Sequence, residues 1–196
     1  MSYRIEEKLS INNNSILEFK NYLKKKAAKQ IYQPRIIKSL YFENNKQEMY
    51  SDSIEGLTPR KKIRIRNYPG SQDSKMYLEI KISSVEGRFK TRAIIDKNKF
   101  NYLKKTGIQD SQYGLCRPYL YVTYQRQYFK INDVRVSIDN NIAYKLYSHG
   151  MFQNDLDSIV EIKTSIKKNL DKLMEEFPFQ KKRFSKYCNA VDKMVF

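Results

Sequence analysis

Charged and apolar side chains trade places through three successive stretches of the chain: RKKIRIRNYPG from Arg60, KMYLEIKISS from Lys75 and GRFKTRAII from Gly87. Arg64 and Arg66, Glu79 and Lys81, and Lys90 and Arg92 each stand two apart, and Ile63, Ile65, Leu78, Ile80 and Ile82 interleave with the first two pairs. Two residues is the strand period, so each charged pair occupies one face and the apolar residues the other. Pro69-Gly70 and Gly87 punctuate the pieces as turns. The same alternation predicts strands over Tyr3–Ile11, Ile36–Phe42, Tyr119–Ile131, Val134–Tyr147 and Asp157–Thr164, with Asn132-Asp133 as a tight turn between two of them. Ile16, Phe19, Leu23 and Ala27 recur at helical spacing after the cap residues Asn12–Ser15, which predicts a helix to Lys29. Lys46–Ile54 reads as a short helix or turn, and Asp96–Thr106 as a helix capped by Asp96 and stopped by Gly107. Gln109–Arg117 reads as loop. Lys167–Met194 reads as helix interrupted near Pro178, with Leu170, Leu173 and Phe177 on one apolar face. With no repeat or linker, residues 1–196 are expected to form a single α+β domain. Eight mostly antiparallel strands with flanking helices would close naturally into a barrel, which removes exposed edges.

Charge narrows the partners. Lys and Arg number 38 against 21 Asp and Glu, a formal net of +17. Such an excess repels itself and points to a polyanion: nucleic acid, anionic lipid, nucleotide phosphates or polyphosphate. Two cysteines, Cys116 and Cys188, supply neither a disulfide framework nor a zinc set. The one histidine, His149 in SHGMF, leaves little room for imidazole catalysis. No apolar run approaches the roughly 18–20 residues of a membrane span, and MSYRIEEKLS has no signal-peptide core, so a cytoplasmic protein is expected.

An alternating charged face has an ordinary explanation as the solvent side of a half-buried sheet. Repetition argues otherwise, because Arg4/Glu6/Lys8 and Glu161/Lys163 repeat the pattern of the three central strands. Arginine supplies half of the cations in these pairs while lysine dominates elsewhere, and guanidinium groups grip phosphate in planar, bidentate fashion. Turned inward, these faces would line a lumen with cations and a few carboxylates. That interior is tolerable only with water and a compensating anion. The glutamates would then serve a divalent cation held by one or two carboxylates plus phosphate oxygens.

Several segments resemble the VTC domain, the catalytic domain of the vacuolar transporter chaperone family, within the triphosphate tunnel metalloenzymes that also include the CYTH proteins. The matching pieces are SLYFEN (39–44), EGLTPRKKIRIRNY (55–68), YLEIKIS (77–83), GRFKTRA (87–93), Tyr124–Arg126, VRVSID (134–139), VEIKTS (160–165) and RFSKY (183–187). The resemblance implies an eight-stranded antiparallel tunnel and transfer of the ATP γ-phosphate onto a growing inorganic polyphosphate chain, with manganese or magnesium. It implies that Lys8, Arg64, Arg66, Lys81, Lys90, Arg92, Arg126, Arg135 and Lys163 bind phosphates. Glu161 would hold the metal, helped by Glu6 and Glu79. Arg183, Ser185 and Lys186 would act from the last helix, with Lys186, Arg64, Arg66 and Glu161 at the reaction centre. Arg4 stands where CYTH members carry the first Glu of ExExK, which fits the VTC branch. Product translocation would need a membrane partner protein. Two other readings compete: a tripolyphosphatase or nucleoside triphosphatase on the same fold, and a non-catalytic polyanion binder. Nucleic acid is not the expected partner, because Tyr119, Tyr121 and Phe129 alternate like core residues and a binder of bases has no need of Glu161.

Overall fold

A computed structural model describes residues 4–12, 15–71, 75–165 and 184–195. In order the elements are β1 (Arg4–Asn12), α1 (Ser15–Lys25), β2 (Lys29–Glu43), α2 (Glu48–Glu55), β3 (Arg60–Asn67), β4 (Met76–Ser84) and β5 (Gly87–Ile95). Then come α3 (Lys97–Thr106), β6 (Ile108–Asp110), β7 (Gly114–Ile131), β8 (Val134–Leu146), β9 (Gln153–Asn154), β10 (Asp157–Ser165) and α4 (Lys186–Val195). Hydrogen-bonded neighbours run β1-β10-β8-β7-β2-β3-β4-β5, with β6 beside β7 and β9 beside β8. The α+β class with a mostly antiparallel sheet is as the alternation predicts. The ladder is open among the described residues, since no pairing joins β1 to β5, where the strand count alone suggested closure. As an edge, β5 is blunted by the exposed charges of Arg88, Lys90 and Arg92.

Two elements exceed the sequence reading. β2 begins at Lys29, and the expected loop at Gln109–Arg117 contains β6 and the start of β7. Ile108–Asp110 pairs with Gly114–Cys116 across a turn too short for alternation to register. Gly107 ends α3 at φ +87°, and a Cβ there would stand 2.7 Å from the Cys116 carbonyl oxygen, so only glycine lets the chain turn so tightly. Asp96 caps α3 by accepting the Lys99 N–H at 2.7 Å. The predicted helix from Lys167 lies outside the described residues up to Phe184.

Two compact units divide the chain, one within residues 1–35, 124–142 and 154–184, the other within 36–123, 143–153 and 185–196. In the first, α1 lays Phe19 and Leu23 on Leu9 and Ile11 of β1, Val134, Val136 and Ile138 of β8, and Val160 and Ile162 of β10. In the second, Leu40, Phe42, Ile63 and Ile65 pack with Met49 of α2, Leu103 of α3, Tyr113 and Cys116. Side chains alternate across a strand, so in each unit the residues between these core positions face the other way. Those are the charged ones.

Candidate functional site

In the second unit Lys62, Arg64 and Arg66 share the charged face of β3. Register sets Tyr41 of β2 and Glu79 of β4 on either side of Arg64, with Arg92 of β5 beyond Glu79. Lys62, Lys81 and Lys90 form the adjacent row. Arg64 donates to Glu79 Oε2 through Nη2 and Nε at 2.6 and 2.9 Å, and to the Tyr41 hydroxyl through Nη1 at 2.8 Å. Lys90 Nζ lies 2.5 Å and Arg92 Nε 3.5 Å from Glu79 Oε1, and Arg66 Nη1 lies 3.7 Å from Oε2. One carboxylate thus gathers four cations. Glu79 is 0% exposed and Arg64 and Arg66 are 8% exposed, so this face of β3 is not a solvent face. The side chains of Lys90 and Arg92 keep 39% and 42% exposure, and Lys81 is exposed. Burial pushes the Glu79 carboxyl up, but the Arg64 and Arg66 guanidiniums outweigh it and hold it at about 2. Burial pushes Lys90 down, with Arg64 and Arg66 adding to the effect and Glu79 offsetting only part of it.

The start of α4 joins the same face. Ser185 Oγ accepts from Lys62 Nζ at 2.9 Å and from the Cys188 N–H at 3.2 Å, which caps the helix. Lys62 Nζ also sits 5.7 Å from the centre of the Tyr187 ring. The Tyr187 hydroxyl donates to buried Glu43, whose oxygens also accept the N–H groups of Asn44, Met49 and Tyr50 where α2 begins. Lys186 is half-buried at the first position of α4.

In the first unit Glu6, Lys163 and Arg135 form one cross-strand row, and Lys8, Glu161 and Ser137 the next. Lys163 Nζ reaches Glu161 Oε1 at 2.5 Å and Glu6 Oε2 at 3.2 Å. Arg126 forks onto Asp139 at 2.5 and 2.6 Å and touches Glu161 Oε2 at 3.2 Å. Lys8 Nζ donates to the Phe184 carbonyl at 3.1 Å and lies 3.5 Å from Glu6. Half-buried Arg135 forms no ion pair among the described residues. Burial pushes Glu161 up, but Arg126 and Lys163 pull it well below the usual carboxylate range. Arg126 is penalised by burial, yet Asp139 and Glu161 hold its charge firmly.

Glu6 and Glu161 are close enough to interact directly and share Lys163. Their hard oxygens suit a divalent cation that also carries phosphate. The described residues contain no cluster of three or more carboxylate, thiol or imidazole ligands, so phosphate oxygens would have to complete the coordination. Glu79, the other metal helper that the resemblance implies, has different surroundings. Its two oxygens face cations, Arg64 on one and Lys90 on the other.

Lys62, Ser39 and Tyr41 escaped the sequence reading of this site. All were signalled by the same period: Lys62 extends Arg64/Arg66 one step back, and Ser39, Tyr41 and Glu43 alternate with Leu40 and Phe42. Ser39 Oγ accepts from Arg66 Nε at 3.2 Å. Asp139, which the sequence reading named only as the end of VRVSID, is the chief partner of Arg126. Arg183 lies outside the described residues. His149 is exposed, and Cys116 and Cys188 are free and buried.

Solved structures share the fold. A protein of Pyrococcus horikoshii matches with a TM-score of 0.64 at 17% identity, over 97% of this chain and 99% of its own. A candidate adenylate cyclase of Bacillus halodurans matches at 0.64 and 11% identity, over 100% and 98%. A candidate adenylyl cyclase from Hippeastrum, whose dominant activity is that of a triphosphatase, matches at 0.63 and 14% identity, over 100% and 98%. No curated protein matches by sequence. The VTC domain model matches residues 3–195.

Proposed function

The chain belongs to the VTC domain family, and from that premise we propose that it is a metal-dependent polyphosphate polymerase, moving the ATP γ-phosphate onto inorganic polyphosphate. The observation that carries this reading is the burial of the charged face of β3 and of Glu79, a costly arrangement unless a polyanion binds there. Arg64, Arg66, Lys81, Lys90 and Arg92 grip phosphoryl oxygens, with Glu79 fixing their fork geometry. Lys8, Arg126, Arg135 and Lys163 bind further phosphates, and Glu161 with Glu6 holds manganese or magnesium. That ion would supply charge stabilisation on the transferring phosphoryl group. Ser185 and Lys186 contribute from the capped start of α4. Phosphoryl transfer asks the protein for alignment and charge, not for a nucleophilic side chain, which suits a site made of cations and carboxylates.

Residues 1–196 act as one domain in this proposal, in the cytoplasm, with a separate membrane protein handling any export. No helix of the described residues is long and apolar enough to cross a membrane. A second reading, hydrolysis of the triphosphate by water, is favoured by the triphosphatase activity of the Hippeastrum neighbour. Purified protein with ATP, manganese and a short polyphosphate primer, followed by gel and phosphorus NMR, separates them. A ladder of long chains with ADP, lost in Glu161→Ala and Lys186→Ala, supports the polymerase. Free phosphate without growth makes it a hydrolase, and no turnover with either metal sinks both.

A further inference from the structure

The opposite face of β2 and β3 carries a cavity. Lys38 pairs with Asn67 and Leu40 with Ile65 across the two strands, and these four form its floor. Met76 of β4, Phe100 and Lys104 of α3, and Tyr121 of β7 wall a space of about 270 Å³. Ile65 stands between Arg64 and Arg66 in sequence, so alternation turns this cavity away from the phosphate-facing side chains. Two features of its chemistry stand out. Its body is apolar and aromatic, from Leu40, Ile65, Met76, Phe100 and Tyr121. Its two cations, both half-buried, have no carboxylate partner among the described residues: Lys38 Nζ sits 4.9 Å from the centre of the Tyr121 ring, and Lys104 Nζ 5.3 Å from that of Phe100.

Half-buried ammonium groups beside aromatic rings are short of anionic partners, and an apolar hollow between them favours a ligand with a hydrophobic body. We propose that this cavity binds a small amphipathic anion, a compact aromatic carboxylate or sulfonate whose ring sits among Met76, Phe100 and Tyr121 while its charge meets Lys38 and Lys104. Triphosphate is the wrong shape for it, having no apolar surface to bury. The site is therefore independent of the proposed reaction, and it stands or falls separately from it.

The test is calorimetric titration of the full chain with 2-naphthoate, in the presence and absence of tripolyphosphate. Saturable one-to-one binding that tripolyphosphate does not displace is expected. The uncharged analogue 2-naphthylmethanol should bind about tenfold or more weakly, and Lys38→Gln with Lys104→Gln should weaken naphthoate by a similar factor. Met76→Trp, which fills the cavity from its half-buried wall, should abolish binding while leaving the melting temperature and tripolyphosphate affinity near those of the parent. Absence of saturable binding, displacement by tripolyphosphate, or indifference to the lysine substitutions would each overturn the proposal.

Discussion

The two charged clusters are built on the same plan and differ in their balance of charge. Each occupies the sheet face opposite a helix-packed core, and each is tied together by residues facing one another across antiparallel strands. In the second unit, four cations converge on Glu79 alone. In the first, Glu6, Asp139 and Glu161 stand among Lys8, Arg126, Arg135 and Lys163, so carboxylate and cation nearly match. A cluster with surplus positive charge is left to be neutralised from outside, by an anion. A nearly balanced one has carboxylates to share with a metal. In the proposed reaction the first region would take a cation and its phosphate, the second a run of phosphates.

Removing the shared counter-charge should break the comparison most severely. Glu79→Ala leaves Arg64 and Arg66 buried without their carboxylate and is expected to cost about 3–5 kcal/mol of folding stability; urea unfolding measures it, and a loss near zero would show that the anchor is dispensable. Glu161→Ala should act on chemistry instead, lowering metal-dependent turnover about a hundredfold or more while metal-free tripolyphosphate binding persists. A binding loss as large as the turnover loss would erase the distinction between the clusters.

Acid provides a third, smaller handle. The Glu79 carboxyl is held at about 2 against an ordinary value of 4.5, so its contribution to stability is complete above the ordinary value and lost as pH falls from there towards 2. Melting temperature should drop across that window, and Glu79→Gln should flatten the drop. Glu161 shifts in the same direction and would contribute to the same slope. The mildest change is Arg135→Gln. With no ion pair to lose among the described residues, it should alter stability by only about 0.5 kcal/mol. Tripolyphosphate affinity should still weaken, and isothermal titration beside a thermal melt checks both halves.

Much of this arrangement can be read from the chain because alternation carries two facts at once. Ile63 and Ile65 locate a strand, and the same spacing puts Arg64 and Arg66 together on its other side. What alternation does not encode is which side is covered. Burial of Glu79 depends on guanidiniums brought from β3 and on Lys90 and Arg92 from β5, contacts settled by register between strands. The different surroundings of the carboxylates were hidden for the same reason. Glu79 and Glu161 sit in nearly identical local sequence, LEIKIS and VEIKTS, yet one is surrounded by four cations and the other stands beside a second glutamate. β6 was missed because three residues are too few to show any period.

A consequence follows for how β3 can change length. With guanidiniums on one side and isoleucines on the other, both buried, the strand has no neutral face to absorb a slip. Inserting or deleting one residue in its middle would send part of the strand's charges into oil and its hydrocarbon into the charged cluster. Adding or removing two would preserve the sidedness and shift only the phase along the strand. Indels in this stretch should therefore survive in even numbers, as though the strand were read in steps of two.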